Sequence, residues 1–141
     1  MVYKHLQTTM KKTLLLLVVF SFFLSCNNNE DKNAQTSEQL QGAWYTTSLE
    51  VNDQVISTKE HPECLSSFVF KDDKVKLLQM GNHSEQGGIY EISNDTIYIH
   101  DIITDQCVMT IKINELSEKN LDILVLETPN VRMKMERMED E

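Results

Sequence analysis

What the sequence lacks narrows the field first. Basic residues are scarce, with 13 Lys and Arg against 22 Asp and Glu and a formal net charge of −9. That balance argues against nucleic-acid binding, which needs Lys and Arg to displace phosphate counterions, and against direct adsorption to anionic lipid. The longest apolar or small stretch, residues 14–24, is shorter than the roughly 20 residues that span a bilayer. No CxxC, HExxH or regular acidic loop occurs, so no patterned metal site is indicated. His61-Pro62-Glu63 and His83-Ser84-Glu85 could offer ligands; the alternative is solvated loop residues. His100-Asp101 has no activated Ser or Cys to serve and reads as a strand-end pair. A non-enzymatic protein without metal or cofactor is expected, with an undetected hydrolase as the residual alternative. Helical periodicity is almost missing from the C-terminal hundred residues or so, which are enough for one domain with a thin core.

The N-terminus carries the clearest signal. Lys11 and Lys12 precede the apolar stretch, and Ser25 sits just before Cys26. A basic start, a short apolar core and a small residue at the cut mark a secretory signal. Phe23-Leu24-Ser25-Cys26 resembles the lipobox of bacterial lipoproteins, although the position three residues before the cysteine is Phe23 where the usual pattern has Leu. The resemblance implies cleavage before Cys26 and acylation of its thiol, palmitate included. Several acyl chains together anchor stably, whereas one binds marginally. The alternatives are a non-lipidated signal or an uncleaved anchor. Residues 1–25 are therefore read as a signal peptide, with Met10 as a possible natural start. Residues 26–38 are read as the lipidated cysteine and a flexible linker, because this polar stretch has almost no apolar content. Residues 39–141 form the folded domain. All 22 acidic residues follow Cys26 with ten of the 13 basic ones, so the mature part carries ten positive against 22 negative charges, a net −12. With Cys26 acylated, Cys64 and Cys107 remain as an even pair in an oxidising compartment. A Cys64–Cys107 disulfide would close a loop of about 40 residues and add about 3–4 kcal/mol; two free thiols are the alternative.

The domain reads as β-strands separated by Asp, Asn, Gly and Ser clusters. A turn at Asp72-Asp73 pairs Phe70 with Val75 and Phe68 with Leu77, placing all four on one face. A turn at Asn94-Asp95 pairs Ile92 with Ile97 and Tyr90 with Ile99, since Asn and Asp tolerate the positive φ of tight hairpins. A three-residue loop at 116–118 would set Ile113 opposite Leu121, Ile111 opposite Ile123 and Met109 opposite Val125. A turn at 127–129 then sets Met133 opposite Ile123 and Met135 opposite Leu121. Lys112, Asp122, Arg132, Lys134 and Glu136 fall on the wet face. A first strand at 42–51 and a short segment near Val55-Ile56 complete eight or nine antiparallel strands. The expected fold is all-β: a small up-and-down antiparallel barrel of about eight strands, which hides its apolar face and its edges.

Leu40-Gln41-Gly42-Ala43-Trp44 looks like the G-x-W opening of lipocalins. The order of Phe68-x-Phe70 before an acidic turn, Gly88-x-Tyr90-x-Ile92, Leu116-Ser117 leading to Leu121, and a closing Glu136-Arg137-Met138 resembles the lipocalin-like domains of Bacteroidetes lipoproteins. The resemblance implies that Trp44 packs across the closed end of the barrel against Arg137. It also implies a small apolar or amphipathic ligand that enters at the rim and meets Phe70, Tyr90, Ile99, Met109, Ile111 and Met133. Met80, Met109, Met133 and Met135 would line such a pocket or simply fill the core. Residues 81–88 would form a loop at the rim. The domain is shorter than a typical lipocalin, and an eight-stranded interior is just wide enough for side chains to fill. The alternative is therefore a filled barrel that docks an envelope protein. The implied location is the outer membrane, lipid-anchored and either periplasmic or surface-exposed.

Overall fold

The structure, a computed structural model, describes residues 28–140. The signal peptide and the lipidation at Cys26 expected from the sequence fall outside the described residues. The chain divides into two units at the Asp31–Lys32 junction. Of the first, the described part is the opening turn of a helix, α1 (Asn28–Leu40). The second carries the strands β1 (Gly42–Val51), β2 (Gln54–Ser57), β3 (Ser66–Lys71), β4 (Lys74–Gln79), β5 (Ser84–Ser93), β6 (Thr96–His100), β7 (Cys107–Leu116), β8 (Asn120–Val125) and β9 (Val131–Arg137). A single 3-10 turn, Pro62–Cys64, precedes β3.

Eight strands form a closed antiparallel barrel. β1 pairs with β3, each later strand pairs with the next, and β9 returns to β1. β1 belongs to two neighbourhoods on its other side. Gly42 to Tyr45 pair with β3, while Ser48 to Val51 pair with β2, which folds back outside the ring. A bulge between Thr46 and Ser48 marks the change of partner along the β1–β9 ladder. Closure leaves no long unpaired edge in the ring, the usual hazard of a small sheet.

Alternation explains the core. Phe68 pairs with Leu77 and Phe70 with Val75 across a turn in which Asp72 has φ 56°. Tyr90 pairs with Ile99 and Ile92 with Ile97 across a turn with Asn94 at φ 56°. Leu121 pairs with Met135 and Ile123 with Met133. These are the registers expected from the sequence, and they point Phe68, Phe70, Val75, Tyr90, Ile97, Ile99, Leu121, Ile123, Met133 and Met135 into one buried cluster with Trp44 and Ile111. Phe70 meets the Tyr90 ring edge-on at 5.2 Å, a favoured aromatic geometry. β5 approaches β6 so closely at Gly88 that a Cβ there would lie 2.7 Å from Ile99 Cγ2.

Three expectations are corrected. Residues 28–38, read as flexible linker, are helical. Glu30 and Asp31 occupy the first turn of α1, where acidic side chains favour the positive end of the helix dipole. The loop read at 81–88 is shorter, because β5 begins at Ser84 and leaves residues 80–83 as the connection. The β7–β8 register is displaced by two residues, with Ile111 opposite Val125 and Ile113 opposite Ile123. The cause is a later turn, since β7 continues to Leu116, which pairs with Leu121; a bulge at Asn114, which takes no partner on β8, then trims the offset from three residues to two. The two-residue displacement keeps the same side chains inside.

That bulge serves a charge on the outer face. Asn114 Nδ2 donates to Asp122 at 3.2 Å, and Arg132 grips the same carboxylate through Nε at 3.0 Å and Nη2 at 2.7 Å. Asp122, expected to be solvated, is 9% exposed. The Arg132 hydrogen bonds hold its carboxyl below the usual range, against the opposing effect of burial, and the Asn114 donor adds to the lowering. A carboxylate depressed in the folded state stabilises above its unfolded pKa, about 3.9, and loses that contribution as pH falls through the lower folded value. Asp122→Asn is expected to cost about 1–3 kcal/mol at neutral pH, limited by the solvent still reaching Arg132. It should also flatten the acid limb of a melting-temperature profile below about pH 4. Acid limbs of equal steepness in the two proteins would refute the linkage.

Candidate functional site

The two ends of the barrel differ, and the difference begins with Gly42. This residue adopts φ +114°, a region L side chains rarely enter, and a Cβ there would lie 2.8 Å from Arg137 Nη1. Gly42 thus lets the chain turn from α1 into β1 and leaves room for the guanidinium. Arg137 lies over Trp44 with its Cζ 4.1 Å from the ring centroid. It also donates to the carbonyls of Glu118 and Gln39, both at 2.6 Å, and to that of Gln41. Trp44 is fully buried and donates Nε1–H to the Leu40 carbonyl at 2.8 Å. The structure therefore brings Trp44 and Arg137 together at one end.

The residues of α1 from Lys32 onward cover this end. Lys32 pairs with Asp95 at 3.1 Å, and Asn33 Oδ1 accepts the Asn94 amide at 3.0 Å. Just past the helix, Gln41 Oε1 accepts the Asp72 amide at 2.7 Å, and its Nε2 donates to the Tyr90 hydroxyl at 2.8 Å. Leu40 is completely buried against the core. Sequence patterning missed this plug because only Leu40 in the helix is buried and the other ties are polar. Ala, Gln and Glu in the segment, with acidic residues first and Gly42 shortly after its end, were the available signal.

The opposite end is open. A cavity of about 360 Å³ is walled by Leu49, Phe68, Leu77, Met109, Val125 and Met133 from six strands, with Val131 at the start of β9. A second space of about 330 Å³ adjoins it behind Phe68, Leu77 and Met109, bounded by Gly87, Gly88 and Ile99. Volumes of roughly 300–1,000 Å³ with mainly apolar walls are typical of small-molecule sites. A larger groove of about 680 Å³ beside Arg137 is lined by Glu118, Lys119, Glu136 and Glu139 and lacks that character.

The mouth is built by the 3-10 turn and the β4–β5 connection. Gly81 packs so tightly on the turn that a Cβ would lie 2.4 Å from the Glu63 carbonyl oxygen, and the Met80 amide donates to the Leu65 carbonyl at 3.0 Å. This contact sets Glu63 and Cys64 at the rim, with Gln79, Asn82 and Glu127. Gln79 Oε1 is occupied by donors from Asn82 and Ser84 at 3.1 and 3.0 Å. Hydrogen bonds from its own backbone amide and from His61 hold the Glu63 carboxyl below its ordinary range. Deeper in, the hydroxyls of Thr46 and Ser66 satisfy each other at 2.8 Å.

Of the residues expected to meet a ligand, Met109 and Met133 line the main cavity and Ile99 the adjoining one. Phe70 and Tyr90 sit at the plugged end, and Ile111 is fully buried between its strand partners Ile97 and Val125; none of the three lines either space. Leu49, Phe68, Leu77, Val125 and Val131 were not anticipated as lining. The Cys64–Cys107 disulfide is not formed. Both thiols are free, Cys64 at the cavity mouth and Cys107 exposed at the start of β7 with its Sγ 3.6 Å from the Met109 carbonyl. Among the described residues no cluster of three or more His, Cys, Asp or Glu is placed to hold a metal ion, and no helix is long and apolar enough to cross a membrane. The chain matches no family model, and no curated protein is significantly similar to it.

Proposed function

We propose that this is a lipid-anchored, lipocalin-like lipoprotein of the bacterial cell envelope, of the kind found in Bacteroidetes, and that its barrel holds a small apolar or amphipathic ligand. The observation that carries the ligand-binding reading is the apolar cavity of about 360 Å³ at the end of the barrel not covered by α1. Binding is driven by burial of apolar ligand surface, worth about 25 cal/mol per Å² before ordering costs. The role is non-enzymatic and needs no cofactor. The anchor rests on the lipobox resemblance at Cys26, and the outer-membrane location on the likeness to Bacteroidetes lipoproteins.

Two experiments test the reading. Protein purified from its own membranes and examined by native mass spectrometry is expected to carry a small molecule. The emptied barrel should bind a neutral naphthylamine fluorophore with micromolar or better affinity; a bare barrel that takes no fluorophore would overturn the pocket. Metabolic labelling with an alkynyl palmitate should tag the full chain and not its Cys26→Ser variant, and equal labelling of both would overturn the anchor.

The filled-barrel docking alternative has one specific observation in its favour. Ile102, Ile103, Val108, Met80 and Leu126 are exposed apolar tips around the open end, Ile103 at 92%. If the barrel takes no fluorophore and instead co-purifies with one envelope protein that Ile103→Ser releases, docking becomes the better assignment.

A further inference from the structure

We infer that the open-end cavity selects amphiphiles with a cationic head, an amine on an apolar chain, over those ending in carboxylate or phosphate. This rests on the ligand-binding reading of the same cavity. The walls are apolar, so they take the chain. The interior offers no site for a charged head, because the Thr46 and Ser66 hydroxyls are paired with each other and no buried side-chain polar atom among the described residues lacks a partner. The head must therefore stay at the mouth.

There it meets Glu63 and Glu127. The residues lining the cavity include these two carboxylates and no Lys, Arg or His. The adjoining space adds Asp101, again without a cation. Lys59 lies in the connection before the 3-10 turn but is not part of either lining. Neighbouring connections at this end contribute further carboxylates, Asp53, Glu60 and Asp105, together with His61 and His83, neither of which lines the two spaces. His61 Nδ1 lies 3.1 Å from Glu63, whereas Glu127 has no ion-pair partner among the described residues. An anionic head would sit against like charge with no counter-ion supplied by the protein. A cationic head gains from the same groups, and charge complementarity of this kind sets specificity more than raw affinity. Both carboxylates are exposed, so the preference is moderate and sensitive to salt.

The test is competition against the neutral naphthylamine fluorophore by three compounds of equal chain length, decylammonium, decanol and decanoate. Decylammonium is expected to displace the fluorophore at a concentration about tenfold lower than decanoate, with decanol between them. The gap should close in the E63Q/E127Q double variant, whose fold is checked by circular dichroism, and shrink in about 1 M salt. If the fluorophore binds but the three compounds displace it equally, or decanoate does so best, the charge selectivity is wrong and the pocket stands. If the fluorophore does not bind at all, the pocket fails and this inference with it.

Discussion

Replacing Trp44 with alanine is expected to destabilise the barrel by about 3–5 kcal/mol, the range for truncating a fully buried aromatic. Trp44 is 0% exposed, and its indole both fills the plugged end and ties the Leu40 carbonyl to β1. A domain of about 100 residues has only some 5–15 kcal/mol to lose, and each kcal/mol shifts its melting temperature by about 4–8 °C. The variant should therefore melt at least 12 °C or so lower, or fail to fold at room temperature. Arg137→Ala is the milder partner experiment. It removes a stacking contact worth about 0.5–2 kcal/mol, together with donors to the Glu118, Gln39 and Gln41 carbonyls. Its expected cost is about 2–3 kcal/mol, because the freed carbonyls lie near the surface and regain water. Arg137→Lys should recover only part of it, since an ammonium cannot serve three carbonyls from one planar fork. Urea denaturation of the single variants and of Trp44→Phe/Arg137→Ala would isolate the coupling between ring and guanidinium. Additive losses would show that the two residues act independently and that the stack contributes only by filling space.

The G-x-W opening thus has a physical content beyond its resemblance. Gly42 supplies a backbone angle and an empty place for a guanidinium, and Trp44 supplies the surface on which that guanidinium lies. The hairpins were legible for a similar reason. Alternation is a property of adjacent residues, and turns such as Asp72-Asp73 and Asn94-Asp95 fix register locally, so inward and outward faces of Phe68, Tyr90 or Ile123 follow directly from the chain. Height along the barrel axis does not. Phe70, Tyr90 and Ile111 point inward as expected, yet they lie at or towards the plugged end, while Met109 and Met133 lie where the interior is empty. Depth depends on how far each strand slides past its neighbour and on which end is covered. Neither is written in one hairpin. The Asn114 bulge was hidden because its reason, the Asn114–Asp122–Arg132 network, joins three strands. The thiols show the same limit, since counting cysteines gives an even pair but not the positions of Cys64 beside the mouth and Cys107 at the start of β7.

Filling the cavity from its wall separates binding from stability. Met109 is half-buried and borders both the main cavity and the adjoining one, so a tryptophan at this position has empty volume to enter on either side. Overpacking a dense core usually costs about 1–3 kcal/mol, but filling a void tends to be neutral or to add about 0.5–2 kcal/mol. Met109→Trp is therefore expected to melt within a few degrees of the native protein or above it. Its affinity for the naphthylamine fluorophore should fall by at least about tenfold, or about 1.4 kcal/mol, because the indole occupies the ligand's place. Val125→Phe, on the neighbouring strand β8, provides an independent version should the first variant misfold. The opposite change, Leu49→Ala at the rim, should cost about 2–3 kcal/mol or less, the low end for a side chain only partly buried, and should retain or improve binding of a bulkier fluorophore. Stable Met109→Trp and Val125→Phe proteins that bind the fluorophore as tightly as the native chain would place the ligand outside the barrel. Binding lost in both with folding intact would locate it between β7, β8 and the mouth formed by the 3-10 turn.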